Sequence, residues 1–195
     1  MNLPNKLTVS RFALTVAFMA VMFSKVRFHE TIALVLFSAG GITDFLDGQI
    51  ARRRKLITNF GILMDPLADK ILVCSAFIAF VELKWIAAWM VVVIVARELA
   101  ITGLRLLAVS KNVVLAAEGY GKHKTISQIV AIISMLVVAC YPQWGVFGSL
   151  FGFEVFGAPW SKWFTQISIW VAVILTFISG WLYLWRNRKI YLNDM

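Results

Sequence analysis

The chain has 195 residues, of which 61% are hydrophobic and only 15% are charged. Soluble domains are about 45–50% apolar, so this composition excludes an ordinary soluble protein and favours an integral-membrane protein. The net charge is +9, but no soluble domain is present to offer a basic face to nucleic acid, so we expect no nucleic-acid partner. The connections between apolar segments are too short for a second domain, and we predict a single domain over residues 1–195.

Six apolar blocks follow one another along the chain. A helix needs about 20 residues to cross a hydrocarbon core about 30 Å thick. The blocks have about this length except the fifth, which must begin near Lys122 or lie in a thinned bilayer. We therefore predict an all-α integral-membrane fold with six transmembrane helices in contact with membrane lipids. The blocks cover residues 7–23, 31–50, 60–80, 85–109, 125–141 and 163–185.

The basic residues are distributed unevenly between the two ends of these predicted helices. With six spans, both termini lie on one side, and that side also carries the basic run at residues 52–55. The opposite side carries only Lys25, Arg27, Lys84 and Lys162. Because cytoplasmic loops collect Lys and Arg, we predict that both termini are cytoplasmic.

The second and third blocks contain four aspartates, although ionisable groups inside a membrane span are costly and usually functional. Asp44 and Asp47 are three residues apart, and Asp65 and Asp69 are four apart. Each pair therefore shares one face of its helix. The two helices form a hairpin with a cytoplasmic turn, so the pairs lie at similar depth and are predicted to converge.

Four carboxylates in one apolar pocket repel each other unless some are protonated or cations neutralise them. A set of oxygen ligands without His or Cys suits hard cations such as Mg²⁺ or Mn²⁺. Two such ions can hold both the attacking and the leaving oxygens of a phosphoryl displacement. The alternative from charge placement alone is the proton or sodium relay of a transporter, because such relays also use intramembrane carboxylates.

The residues around the aspartates follow the pattern D-x2-D-G-x2-A-R-x8-G-x3-D-x3-D, with all eight fixed positions present between residues 44 and 69. This stretch resembles the signature of the CDP-alcohol phosphatidyltransferase family. The resemblance implies six transmembrane helices around a polar cavity that opens to the cytosol, and a homodimer. It also implies transfer of a CDP-activated lipid to an alcohol with release of CMP.

The resemblance further assigns roles to individual motif positions. Asp44, Asp47 and Asp65 are implied as metal ligands, and Asp69 as the general base, close enough to the metals to count among their ligands. Small side chains in the motif would let a ligand approach the helix backbone, and Arg52 has a fork-shaped donor suited to a diphosphate. The implied CDP-binding positions are Asp47, Gly48, Ala51, Arg52 and Gly61, with Asn5 and Thr8 added by resemblance alone.

Three further stretches bear on the acceptor alcohol: residues 3–11, 96–105 and 121–125. They resemble the corresponding parts of bacterial phosphatidylglycerophosphate synthases. The implied substrates are CDP-diacylglycerol and glycerol 3-phosphate, and the implied location is the bacterial cytoplasmic membrane. Serine, inositol phosphate or a phosphatidylglycerol are the alternative acceptors.

An acceptor that carries its own phosphate needs positive charge in addition to the metals. The fourth and fifth blocks supply four candidates for this acceptor-phosphate site: Arg97, Arg105, Lys122 and Lys124. Two alternatives stay open. Arg97 can instead pair with Glu98 or with an aspartate, and the two lysines can serve only as cytoplasmic topology signals.

Overall fold

A computed structural model gives the fold of the chain. It describes the backbone of residues 3–54, 59–111, 113 and 120–192. It describes the side chains of residues 9–43, 70–111, 113, 123–188, 190 and 191.

Six long helices coincide with the six predicted apolar blocks. The fifth begins at Tyr120, two residues before Lys122, as the length argument required. The long helices are α1 (Leu3–Met22), α2 (His29–Arg54), α3 (Asn59–Glu82), α4 (Ala88–Ser110), α5 (Tyr120–Cys140) and α7 (Trp160–Arg186). The remaining short elements are α6 (Ser149–Gly152), α8 (Arg188–Leu192) and the two-residue strands β1 (Glu154–Val155) and β2 (Ala158–Pro159), which pair antiparallel.

The helices differ in how well they suit a membrane. Within the described residues, two segments are long and apolar enough to cross a bilayer, His123–Gln143 and Trp160–Arg186, and Val9–Met22 is a shorter apolar helix. By contrast, α4 carries Arg97, Glu98 and Arg105 within nine residues. The fold is therefore predominantly helical with membrane-capable helices, whereas six crossings around a cytosolic cavity stay a prediction.

One apolar core closes one end of the bundle. It joins the second halves of α1, α3 and α5, the first halves of α2 and α4, and the middle of α7. These segments meet because consecutive long helices run in opposite directions. Fully buried members include Phe18, Phe77, Ile94 and Leu136. The motif aspartates occupy the opposite ends of α2 and α3, so the bundle is packed at one end and carries its buried charges towards the other.

A close contact joins α2 to α3 next to the motif. A Cβ atom at Gly40 would lie 2.6 Å from Cδ2 of Leu72, so glycine is what lets this leucine pack against the α2 backbone. Gly40 lies about one turn before Asp44, and Leu72 lies just under one turn after Asp69. The two halves of the motif therefore lie on the same side of the Gly40–Leu72 contact, towards the turn between α2 and α3.

The longest connection, residues 141–159, is more ordered than a loop. It forms 3₁₀ turns at Tyr141–Gln143 and Gly145–Gly148, then α6 and the β1–β2 pair. The backbone N–H of Trp160 donates to the carbonyl of Phe153 at 2.9 Å and closes the hairpin. The sequence predicted helices throughout, whereas the structure contains this short β-hairpin. The hairpin can form because Phe156 and Gly157 take the positive φ angles that a tight turn needs.

Candidate active site

The motif positions lie in the facing ends of two helices. Residues 44–52 lie in α2, which ends at Arg54, and Gly61, Asp65 and Asp69 lie in α3, which begins at Asn59. The predicted helical hairpin is therefore present. The side chains proposed for metal and nucleotide binding lie outside the described set, as do those of Asn5 and Thr8 in α1 and Lys122 in α5. Their roles stay predictions.

Next to the motif, α3 is bound to α4 through Lys70. The Lys70 ammonium donates to the Thr102 hydroxyl. That hydroxyl in turn donates to the backbone carbonyl of Glu98, one turn earlier in α4, at 2.7 Å. Because Lys70 directly follows Asp69, this chain of hydrogen bonds connects the end of the motif to α4.

Glu98 is the centre of the described charged cluster. Its carboxylate is buried and forms an ion pair with the Lys124 ammonium from α5. It also pairs with Nη1 of Arg97, at 3.3 Å and 3.5 Å to its two oxygens. Two cations, Arg97 and Lys124, thus pair with this carboxylate, and Lys70 is bound one turn away at Thr102, where α3, α4 and α5 meet. Ionised side chains at such depth are rare unless they are paired or functional.

Arg97 is positioned from the other side by α7. A Cβ atom at Gly180 would lie 2.6 Å from Cγ of Arg97, so the glycine provides the room for the arginine stem. Among the described residues, Nε of Arg97 is buried and has no hydrogen-bond acceptor. The pairing of Arg97 with Glu98, one of the alternatives that the sequence left open, is therefore present. It uses the Nη1 donor of the guanidinium and leaves the Nε donor without an acceptor among the described residues.

Arg105 lies apart from this cluster. It follows Arg97 by eight residues in α4, about 12 Å along the helix axis. Its guanidinium carbon lies 5.7 Å from the ring centroid of Tyr183, and its Nε lies 3.4 Å from the tyrosine oxygen. Both arginines face α7, because eight residues are about two turns of a helix and place them on one side of α4. Lys124 and Arg97 both pair with Glu98, whereas Arg105, near the end of α4, contacts Tyr183 instead.

Two buried polar features complete the neighbourhood. Arg11 in α1 is only 2% exposed, so it lies inside the bundle and does not reach along the helix surface to the interface. Nε2 of Gln128 in α5 donates to the Thr176 hydroxyl of α7 at 3.0 Å, one turn beyond Lys124. Within the described side chains, no three His, Cys, Asp or Glu residues come close enough to hold a metal ion, and that set does not include the motif aspartates.

Sequence reasoning missed the organising role of Glu98 and Thr102. The signal was present, since the two residues are four apart on one face of α4, with Arg97 beside them. Sequence alone could not show that Lys70 and Lys124, from two other helices, converge on that face.

Comparisons with known proteins show which family the sequence resembles. Residues 1–178 match the family model described as CDP-alcohol phosphatidyltransferase. A CDP-diacylglycerol–glycerol-3-phosphate 3-phosphatidyltransferase of Bacillus subtilis (strain 168) is 40% identical over 198 residues, covering 95% of each chain. The enzyme of the same name from Rickettsia bellii (strain RML369-C) is 30% identical over 97% of each chain.

A third relative covers less of the sequence. The probable phosphatidylglycerophosphate synthase of Mycobacterium tuberculosis (strain ATCC 25618 / H37Rv) is 39% identical over 134 residues, which is 67% of this chain and 64% of that protein. The family match and the first two relatives each extend over nearly the whole sequence, including the motif in α2 and α3 and the charged cluster in α4 and α5. The chain therefore belongs to the CDP-alcohol phosphatidyltransferase family.

Proposed function

We propose that this protein transfers the phosphatidyl group of CDP-diacylglycerol to the 1-hydroxyl of sn-glycerol 3-phosphate. The products are phosphatidylglycerol phosphate and CMP, and the reaction serves phosphatidylglycerol and cardiolipin synthesis. The observation that carries the proposal is similarity over nearly the full chain to enzymes named for this reaction. The complete motif across the α2–α3 hairpin supports the same chemistry.

The described cluster supports an acceptor that carries a phosphate. Two cations, Arg97 and Lys124, pair with one carboxylate, that of Glu98, beside the end of the motif. Buried donors are almost always paired, and Nε of Arg97 lacks an acceptor among the described residues. A phosphate oxygen would provide that acceptor. Serine has a carboxylate but no phosphate and no net negative charge, so this cationic cluster favours a phosphate-bearing acceptor such as glycerol 3-phosphate over serine.

The aspartates provide the chemistry of transfer in this proposal. Asp44, Asp47, Asp65 and Asp69 offer only hard oxygen ligands, which fit two Mg²⁺ or Mn²⁺ ions. Bound ions would offset the charge of the diphosphate and of the departing CMP. Asp47, Gly48, Ala51, Arg52 and Gly61 would hold the cytidine diphosphate, with Asn5 and Thr8 of α1 nearby.

Bond making and breaking follow from these positions. Asp69 accepts the proton of the acceptor 1-hydroxyl. The freed oxygen attacks the lipid-side phosphorus and forms the new P–O bond. The bond from that phosphorus to the bridging oxygen breaks, and CMP departs with the electron pair. Arg97 and Lys124 hold the acceptor phosphate, with Arg105 and Lys122 as additional cationic contacts.

The setting that we propose is the bacterial cytoplasmic membrane. The chain would cross it six times, with both termini and the active site on the cytoplasmic side. The excess of Lys and Arg on that side supports this orientation. We also propose a homodimer, on family resemblance.

A direct assay tests the reaction. Purified protein supplied with CDP-diacylglycerol labelled in the cytidine is expected to release CMP with glycerol 3-phosphate and Mg²⁺. We expect a chelator to abolish release and added Mg²⁺ to restore it. Faster release with serine, inositol phosphate or phosphatidylglycerol would reassign the acceptor. Ion-dependent flux without CMP formation would instead indicate a transporter.

A further inference from the structure

Residues 141–159, which we call the aromatic cap, connect α5 to α7. The two segments that flank the cap, His123–Gln143 and Trp160–Arg186, are those long and apolar enough to cross a membrane. The cap therefore lies where both segments leave the hydrocarbon. It contacts the start of α2 through a 2.8 Å hydrogen bond from Gln143 to Glu30. That is the end of the bundle opposite to the motif.

The cap exposes an unusual amount of apolar surface. Phe156 at the hairpin turn is 94% exposed, and Val146 is 88% exposed. Phe147 is 75% exposed, and Leu150 and Phe153 are each 69% exposed. Aromatic side chains present about 150–250 Å² each, and soluble monomers rarely expose apolar patches larger than a few hundred Å². This surface is therefore better suited to an apolar environment than to water.

Indole N–H groups in the cap and at the start of α7 are paired with protein oxygens, as an apolar environment requires. Three indole N–H groups, which at a membrane surface usually point to water, donate to protein oxygens instead. The three bonds are Trp144 to the Thr31 hydroxyl at 3.1 Å, Trp160 to the Leu150 carbonyl at 2.7 Å and Trp163 to the Val155 carbonyl at 3.1 Å. The bodies of these rings can thus enter an apolar phase without leaving a donor unpaired.

Aromatic packing fixes the shape of the cap. The Phe151 ring lies between Trp144 and Trp160, with centroid distances of 5.6 Å and 6.2 Å. This inner cluster holds the short turns and the hairpin together. The exposed side chains named above therefore project from a fixed scaffold.

The exposed apolar surface of the cap continues onto α7, a membrane-capable helix. Trp163, Phe164 and Ile167 are 47–61% exposed. Within residues 141–159, Glu154 is the one charged residue, while the exposed Lys162 follows at the start of α7. An apolar surface with a basic residue at its edge is typical of a segment that lies at the level of lipid head groups.

We propose that the aromatic cap inserts Val146, Phe147, Leu150, Phe153 and Phe156 into the lipid leaflet opposite to the motif end of the bundle. The partner is a phospholipid surface, with the apolar side chains among the acyl chains and Lys162 near the phosphates. This anchoring is independent of the proposed reaction, and it fixes the depth of the packed end of the bundle.

Site-specific fluorescence tests the insertion. Phe156→Cys and Phe147→Cys, each combined with Cys74→Ala and Cys140→Ala, are labelled with an environment-sensitive fluorophore. The proteins are placed in vesicles of phosphatidylethanolamine and phosphatidylglycerol. We expect blue-shifted emission, quenching by brominated lipid and loss of quenching by aqueous iodide at both positions. Lys25→Cys, an exposed site in the α1–α2 connection at the same end, is the matched control, and we expect the opposite pattern there.

Two results would overturn the proposal. Iodide quenching at positions 147 and 156 as strong as at position 25 would place the cap in water. Shielding from both iodide and brominated lipid would mean that a second copy of the chain covers it. Elution of each labelled protein at the volume of the unaltered protein shows that it is folded, and either position alone decides the outcome if the other variant misfolds.

Discussion

At the scale of single residues, Glu98 determines how the cations of the site are arranged. Its buried carboxylate pairs with Lys124 and Arg97, while its backbone carbonyl accepts from Thr102, which itself accepts from Lys70. Removing one partner of a buried pair commonly costs about 3–5 kcal/mol, because the remaining charge is left unpaired. Glu98 thus allows Arg97 and Lys124 to stay close together.

Asp69 gives the first prediction at this scale. Asp69→Asn keeps the size of the side chain and removes its ability to accept a proton, so we expect turnover to fall at least about 100-fold. Binding of CDP-diacylglycerol should stay measurable. CMP release and lipid binding by the same purified variant are the measurements. Near-normal turnover would remove Asp69 as the base.

Gly180 gives a second prediction, through Arg97. In Gly180→Ala the new methyl would meet Cγ of Arg97 at 2.6 Å, so the arginine stem must move. A charged hydrogen bond contributes about 1.5–3 kcal/mol. We therefore expect Arg97→Ala to raise the KM for glycerol 3-phosphate by about tenfold or more, and Gly180→Ala to raise it by a smaller factor in the same direction. The KM for CDP-diacylglycerol should change little in both variants.

Gly103→Ala is the matched control for that substitution. Gly103 also lies in a helix, but a Cβ there would have no atom within 4 Å among its described neighbours. We expect its kinetics to equal those of the unaltered protein. Equal increases in both KM values for Arg97→Ala would show that the arginine is only structural.

At the scale of elements, polar contacts hold helices together where the apolar core ends. The α5–α7 pair is extensive, and the bond from Gln128 to Thr176 is fully buried within it. Towards the packed end, Ile132, Leu136 and Ala172 provide the contacts instead. The polar pair therefore continues the α5–α7 contact towards the charged cluster, one turn from Lys124.

This pair gives a prediction for stability. In a double-mutant cycle of Gln128→Leu and Thr176→Val, we expect a coupling energy of about 0.6–1.7 kcal/mol in the free energy of unfolding. Unfolding by SDS titration in mixed micelles measures it. The pair Ser149 and Ser110, both exposed and in separate elements, provides a control cycle of Ala substitutions that should show no coupling. Additive effects for Gln128 and Thr176 would mean that the bond contributes nothing to the pairing of the helices.

At the scale of the whole molecule, the two ends of the bundle have different tasks. One end is filled with aromatic and aliphatic side chains, which make a rigid frame, and the aromatic cap continues it towards the lipid. The motif and the charged cluster occupy the other half, where charges replace part of the apolar packing. A packed core tolerates little rearrangement, so it can hold the helices that carry the charged cluster in fixed positions.

The sequence by itself determined the helical blocks, the helix hairpin that carries the motif, and the family. It could do so because apolar length and the spacing of carboxylates are local properties, set by the rise and the turn of a helix. Tertiary structure alone decided that Lys124 meets Glu98 and Lys70 meets Thr102, that Gly180 makes room for Arg97, and that Arg105 rests on Tyr183. These contacts join residues 26 to 83 positions apart, and they depend on which helices become neighbours. The ordered cap likewise depends on aromatic rings from separate turns packing together, which no local pattern specifies.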